Sequence, residues 1–141
     1  IVETEEKGSI RQNTKAKKSH FVFFTPVEGM ISDTFNFEKK HFAIDLVAKK
    51  NSKVSSVLDG TVVVSHWSAE TGFVIGVQHK NNYLSFYKHN SVLLKKAGDF
   101  VSAGEHIAII GNSGELSSGP HLHFELWHDG VPVNPLNYIK F

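Results

Sequence analysis

The 141-residue chain contains no cysteine, which excludes disulfide bonds and thiolate metal ligands. Any zinc site must therefore use histidine and carboxylate side chains. No apolar run reaches membrane-spanning length, so no membrane span is predicted in this fragment. Charged residues make up 21% of the chain, too few for a disordered protein. The net charge of +1, with histidine neutral, gives no nucleic-acid footprint, so no nucleic-acid partner is predicted.

The sequence divides into an N-terminal tail or linker, residues 1–19, and one domain, residues 20–141. The tail is polar and mixed in charge, and it ends in the basic stretch Lys15–Lys18. The remaining length suits one compact domain with a real core. No pattern in the sequence predicts the oligomeric state.

Short apolar runs rich in β-branched and aromatic residues dominate the domain, with turn signals such as Asp59-Gly60 between them. They predict an all-β, antiparallel domain resembling a barrel or sandwich. Only Ser91–Lys95 and Pro135–Tyr138 are predicted to form short helical turns. The predicted strands are Phe21–Phe24, Thr61–Val64, Phe73–Val77, Tyr83–Tyr87, His106–Ile110 and His121–Trp127.

Two six-residue motifs, His41–Leu46 and His121–Leu126, carry polar and apolar residues in alternation. Side chains alternate faces along a strand, so His41 and Asp45 are predicted to share one face, with space for an ion over Ala43 between them. By the same periodicity, the polar residues of the second motif share a face and its apolar residues face the core. Each motif alone is more often a surface strand; together they point to a metal site.

The donor types suit catalytic zinc, which takes three protein ligands and keeps a fourth position for water. Two neutral imidazoles and one carboxylate leave a net charge near +1, which acidifies that water. A further, unligated histidine can take the water's proton and deliver it to the leaving amine. Spacing leaves open which of His121 and His123 binds the metal.

From about residue 24 to 138 the chain resembles the LytM/lysostaphin-type zinc endopeptidases, which cleave peptide bonds in bacterial peptidoglycan. The resemblance rests on His41-x3-Asp45, on Tyr87-Lys88-His89, on the segment Ser118–Glu125 and on the closing turn Asp129–Pro135. These motifs occur in the family's order. One departure is Ala43, where the family usually has glycine.

The resemblance implies one Zn²⁺ per chain, with His41, Asp45 and His123 as its ligands. It also implies that His121 is the general base. His89 is implied as a second catalytic histidine, which orients the water or stabilises the developing oxyanion.

Three neighbouring features are predicted less specifically. Tyr87 falls on the same strand face as His89 and is predicted to line the substrate cleft, with core packing as the alternative. Glu125 is either a partner that anchors a histidine or an ordinary surface carboxylate. The glycine- and serine-rich loop 111–120 is predicted to form a wall of the substrate groove.

The resulting hypothesis is a zinc metalloendopeptidase that hydrolyses peptide stems or cross-bridges of peptidoglycan in the bacterial cell envelope, either the periplasm or the cell wall. Substrate and location come from the resemblance alone. One alternative is a regulatory, non-enzymatic envelope module that activates other cell-wall hydrolases; another is a zinc-dependent scaffold module. All five ligand and catalytic histidine positions of the family are filled in this sequence, which favours the enzyme over the regulatory module. The cleaved bond is predicted to be either a glycyl-glycine bond or a D-alanyl bond.

Overall fold

A computed structural model of the chain describes residues 22–111 and 119–141. The predicted tail, residues 1–19, lies outside these ranges. Within them the chain folds into ten strands of one antiparallel sheet, with two short 3-10 helices and no α-helix. No helix in the described part is long and apolar enough to cross a membrane.

The strands follow one another in short segments along the chain. They are β1 Met30–Asp33, β2 Ile44–Val47, β3 Lys53–Ser55, β4 Gly60–Ser68, β5 Gly72–Gln78, β6 Tyr83–Leu93, β7 Phe100–Val101, β8 His106–Ile110, β9 His121–His128 and β10 Val131–Val133. The 3-10 helices span Lys80–Asn82 and Pro135–Asn137.

The all-β, antiparallel prediction is confirmed, and the sheet is open. Two local predictions are wrong. Residues 22–24 form no strand, and residues 91–93 continue β6 instead of forming a helical turn, because Val92 and Leu93 pair with Ile109 and Ala108 of β8. Sheet pairing here overrides the local propensity. The turn predicted near the C-terminus is confirmed as a 3-10 helix that starts at Pro135.

Strand β9 lies in the middle of the sheet, between β2 and β6, in the order β1-β2-β9-β6-β5-β4-β7. Its side chains alternate as the sequence predicts: Leu122, Phe124 and Leu126 are fully buried, and the residues between them are half-buried on the other face. This alternation fixes β9 against the core. It therefore presents its histidines on the opposite side of the sheet.

A chain of hydrogen bonds crosses the core from His79, which is 6% exposed. Its Nδ1 lies 2.7 Å from the Asp59 carbonyl oxygen and its Nε2 lies 2.8 Å from Ser85 Oγ. Ser85 Oγ in turn lies 2.7 Å from the Tyr87 hydroxyl, which accepts from the Val57 N–H at 3.0 Å. Nδ1 faces a carbonyl and therefore carries a proton, and Nε2 can accept from the Ser85 hydroxyl, so a neutral His79 satisfies both contacts.

We expect His79 to make stability depend on pH. Burial lowers the pKa of His79 from its usual 6.5, so the unfolded chain binds this proton more readily than the folded one. Its contribution is fully present above pH 6.5 and is lost as the pH falls. In urea unfolding of the metal-free protein, His79→Gln should lower the free energy of unfolding by about 1–3 kcal/mol at pH 7.5. This difference from wild type should become smaller toward pH 5.

The matched control is His66→Gln, because His66 is exposed on β4. Its gap to wild type should be small and nearly the same at both pH values. A gap for His79→Gln that stays constant with pH would contradict a neutral, buried His79.

Candidate metal centre

Three side chains converge on one face of the sheet, where β2 pairs with β9. His41, Asp45 and His123 each offer one ligand atom, and these atoms lie within 4.8 Å of one another. Asp45 Oδ1 is 2.9 Å from His123 Nδ1, and Asp45 Oδ2 is 3.2 Å from His41 Nε2. Asp45 and His123 face each other directly in the antiparallel register. Cross-strand pairing therefore brings together two residues that are 78 positions apart.

His41 reaches this cluster from a loop, which corrects the single-strand prediction for its motif. Strand β2 begins only at Ile44, so Ala43, which is 1% exposed, lies in the bend before the strand. His41 instead forms an isolated bridge with Asn36, with backbone N–O distances of 2.8 and 3.0 Å. That bridge, not strand alternation, brings His41 alongside Asp45.

The outer nitrogen of each clustered histidine meets an acceptor. His41 Nδ1 lies 2.7 Å from the carbonyl oxygen of Thr34, and His123 Nε2 lies 3.0 Å from Glu125 Oε2. If these nitrogens carry the protons, the lone pairs of His41 Nε2 and His123 Nδ1 face Asp45. Zinc-binding histidines are held in this way, with the second ring nitrogen donating to a carbonyl or carboxylate. The donor atoms of these three residues therefore fit a zinc ion.

Opposite charges dominate the electrostatics of the cluster. Burial alone would lower the pKa of His123, but its hydrogen bonds to Asp45 and Glu125 outweigh that effect and raise the pKa to about 9. Burial alone would raise the pKa of Asp45, but its contacts with His123 and His41 lower it. The metal-free site thus favours a protonated His123 between two carboxylates. A cation that binds there replaces this proton.

Glu125 has three partners, all on the face of the sheet that carries Asp45 and His123. Its Oε2 lies 2.9 Å from Lys88 Nζ and 3.0 Å from His123 Nε2, and its Oε1 accepts from Trp127 Nε1 at 3.0 Å. Burial alone would raise its pKa, but hydrogen bonds with His123, Lys88 and Trp127 lower it to about 2. Of the two roles predicted for Glu125, these contacts support that of a partner that anchors a histidine, not that of an ordinary surface carboxylate.

We expect Glu125→Gln to weaken zinc binding about 10- to 100-fold, the usual effect of losing an outer partner of a ligand. The substitution keeps the shape but removes the charge that Lys88 and His123 share. Competition with a zinc chelator measures the change. The matched control is Glu105→Gln, which breaks an ion pair of the same kind, 2.7 Å from Lys95 Nζ, away from the site. Equal zinc affinity in both variants would rule out this role.

The two remaining histidines of the predicted site stand next to the cluster. The ring centroids of His89 and His121 are 5.2 Å apart, and those of His89 and His123 are 5.8 Å apart. His121 Nδ1 lies 3.3 Å from the carbonyl oxygen of Gly119. Burial, followed by the nearby charges of His121 and His123, lowers the pKa of His89. All five predicted histidine and aspartate positions are thus brought together.

A bulge in β6 turns His89 toward the site. Ile75 pairs with Tyr87 and Phe73 with Asn90, so two residues of β6 face the single residue left between them on β5. His89 has φ +70°, a left-handed conformation that is uncommon outside glycine and collects at functional sites. Its N–H donates to the Thr71 carbonyl oxygen at 3.0 Å. This distortion breaks the side-chain alternation of the strand.

The bulge also explains why the prediction for Tyr87 is wrong. Tyr87 is fully buried, and its hydroxyl contacts Val57 and Ser85 in the core, so it does not line a cleft. Strict alternation would place Tyr87 and His89 on one face, but the positive φ at His89 separates them. Lys88, which pairs with His123 across the strands, occupies the site face instead.

The predicted groove wall, loop 111–120, lies largely outside the described residues, which omit 112–118. Its two ends are anchored. Gly111 forms a bridge with His121, and the Pro120 carbonyl oxygen accepts from the Ala48 N–H at 3.2 Å. The start of β9 is therefore held on both sides where His121 emerges.

Comparison with known proteins places this chain in a family. Residues 39–135 match the model of Peptidase family M23. The murein hydrolase activator NlpD of Escherichia coli is 36% identical over 117 residues, covering 81% of this chain and 30% of NlpD. The peptidoglycan DD-endopeptidase ShyA of Vibrio cholerae is 38% identical over 96 residues, covering 68% of this chain and 22% of ShyA. The chain thus spans less than a third of these curated relatives.

The fold agrees with the sequence match. The crystal structure of a zinc-containing peptidase from Vibrio cholerae superposes with a TM-score of 0.74 at 31% identity, covering 81% of this chain and 39% of that chain. The matched region includes all three clustered residues and both neighbouring histidines. The resemblance to LytM/lysostaphin-type peptidases is thereby confirmed, and the chain belongs to peptidase family M23.

Proposed function

We propose that this chain is a zinc metalloendopeptidase that hydrolyses peptide cross-links of bacterial peptidoglycan in the cell envelope. The observation that carries the proposal is the convergence of His41, Asp45 and His123 with two further histidines beside them. Three ligands of this type leave a zinc position open for chemistry. The endopeptidase name of ShyA supports peptidoglycan as the substrate and the envelope as the location.

The two unligated histidines divide the proton transfers. A bound zinc ion supplies a Lewis acid that polarises the scissile carbonyl and acidifies water. With Nδ1 turned toward the Gly119 carbonyl, His121 accepts the water's proton at Nε2 and delivers it to the leaving amine. The lowered pKa of His89 keeps it neutral near pH 7. One of its ring nitrogens then donates to the developing oxyanion of the substrate.

Digestion of purified peptidoglycan tests this proposal. The zinc-loaded protein is incubated with cell walls whose cross-links are glycyl-glycine or D-alanyl bonds, and the products are identified by mass spectrometry. Cleavage should stop when a chelator removes the metal and return when zinc is restored. About one bound zinc per chain without cleavage of any cell wall would overturn the enzymatic reading.

The second candidate function is activation of another cell-wall hydrolase, favoured by the likeness to the activator NlpD. An activator needs a surface for its partner and no set of catalytic groups, so the convergence of His41, Asp45 and His123 with two further histidines favours the enzyme. Adding the protein to a separately purified cell-wall amidase distinguishes the two. Stimulation of the amidase, with no cleavage by this chain alone, would support the activator.

A further inference from the structure

A cavity of about 340 Å³ opens beside the two unligated histidines. His89 and His121 form one side of it, and the turn between β4 and β5 forms the other. The end of β4 contributes Trp67 to the lining, and the turn itself contributes Glu70. A substrate held at the cluster with its scissile bond near both histidines therefore extends into this cavity on one side of that bond.

The turn that walls the cavity is held in place by its own hydrogen bonds. Ser68 Oγ lies 2.6 Å from Thr71 Oγ1 and also accepts from the Thr71 N–H at 3.0 Å. The Thr71 carbonyl oxygen accepts from the N–H of His89 at 3.0 Å. The same short segment thus fixes the backbone of His89 and the position of the opposite wall. The cavity is preorganised relative to the reacting groups.

The chemistry of the lining selects a cation. Glu70 supplies the one carboxylate among the described lining residues, and none of those residues is a lysine or arginine. Trp67 is 59% exposed, and a tryptophan face attracts an ammonium group through its ring quadrupole. A carboxylate and an exposed indole that line the same cavity are a combination that binds alkylammonium groups.

We propose that this cavity is a specificity subsite for a protonated primary amine that flanks the scissile bond. The amine belongs either to the side chain of a diamino acid in a stem peptide or to the free terminus of a cross-bridge. The inference rests on the proposed function, since it names which peptides that site prefers. An exposed ion pair with Glu70 and a cation–π contact with Trp67 should together make the protein prefer a substrate with the free amine about 5- to 30-fold over a neutral analogue.

The test compares one substrate in two forms. Soluble cross-linked peptides released from cell walls are divided, and one half is acetylated at its free amines. Dissociation constants and kcat/KM are then measured for both halves with the zinc-loaded protein. Wild type should bind and cleave the acetylated half about 5- to 30-fold less well, mainly through KM. In Glu70→Gln this penalty should shrink to about threefold or less.

Matched variants separate recognition from general damage. Glu28→Gln removes an exposed carboxylate that lines a different cavity and should keep the full acetylation penalty. Trp67→Leu should reduce the penalty, whereas Trp67→Phe should restore part of it through the phenyl ring. Zinc content should be the same in all four variants, because none replaces a residue of the metal cluster.

The experiment distinguishes failure of the subsite proposal from failure of the proposed function. Cleavage of both halves at equal rates, or an unchanged penalty in Glu70→Gln, overturns the subsite while the peptidase stands. Absence of cleavage overturns the peptidase, and the dissociation constants then decide the subsite alone. Equal binding of the free and acetylated peptides would dismiss it.

Discussion

Replacing His123 by alanine is expected to abolish zinc binding and peptidoglycan cleavage together. His123 Nδ1 lies 2.9 Å from Asp45 Oδ1 at the centre of the cluster, and its loss leaves only two protein ligands. Zinc affinity should fall by more than the roughly 100-fold that an outer partner can cost. Zinc content after dialysis and the rate of cell-wall digestion measure the two losses.

The control for this variant is His66→Ala, since His66 is exposed on β4 and lies outside the cluster. It should retain both zinc and activity. Retention of stoichiometric zinc by His123→Ala would show that another residue is the third ligand. Circular dichroism of the variant checks that the loss is not unfolding, because removing a group between two half-buried carboxylates also changes the stability of the metal-free protein.

Replacing His121 by alanine is expected to leave zinc bound while lowering kcat by about 10²- to 10⁴-fold, the usual contribution of a general base. His121 contacts the Gly119 carbonyl and the ring of His89, and it is not one of the three residues of the cluster. Zinc content and single-turnover rates on the same preparation separate binding from chemistry.

The pair His121→Ala and His123→Ala forms its own comparison, because the two residues lie two positions apart on one strand face. Loss of zinc in both would mean that the assignment within the His-x-His motif is incorrect. If His121→Ala kept zinc and also kept full activity, the proton would have to leave by another route. A chain that works as an activator would stimulate its partner hydrolase equally well in wild type and in His121→Ala.

Alternation in the sequence predicted one half of the site accurately. In β9 the apolar residues are fully buried and the polar residues share the opposite face, as a period of two requires. The same reasoning failed in the His41–Asp45 motif, where a loop bridge to Asn36 takes the place of strand geometry. It failed again at Tyr87, which a bulge separates from His89.

His89 could be found only through the family resemblance. Its spacing resembles that of any strand residue, and its orientation depends on a positive φ and on a hydrogen bond to Thr71 from another strand connection. Such a conformation is imposed by tertiary contacts, since an isolated chain avoids it. The contact between Lys88 and Glu125 is equally invisible in the sequence, because it joins residues 37 positions apart.

The sequence by itself determined the kinds of donor atom available, the all-β class and the faces of β9, because these follow from composition and from the period of side chains along a strand. Only the tertiary structure decided which donors meet. The register that sets Asp45 and Lys88 against His123 depends on how β2 and β6 pair with β9. Pairing between distant strands is chosen by the packing of the whole core, which no local pattern encodes.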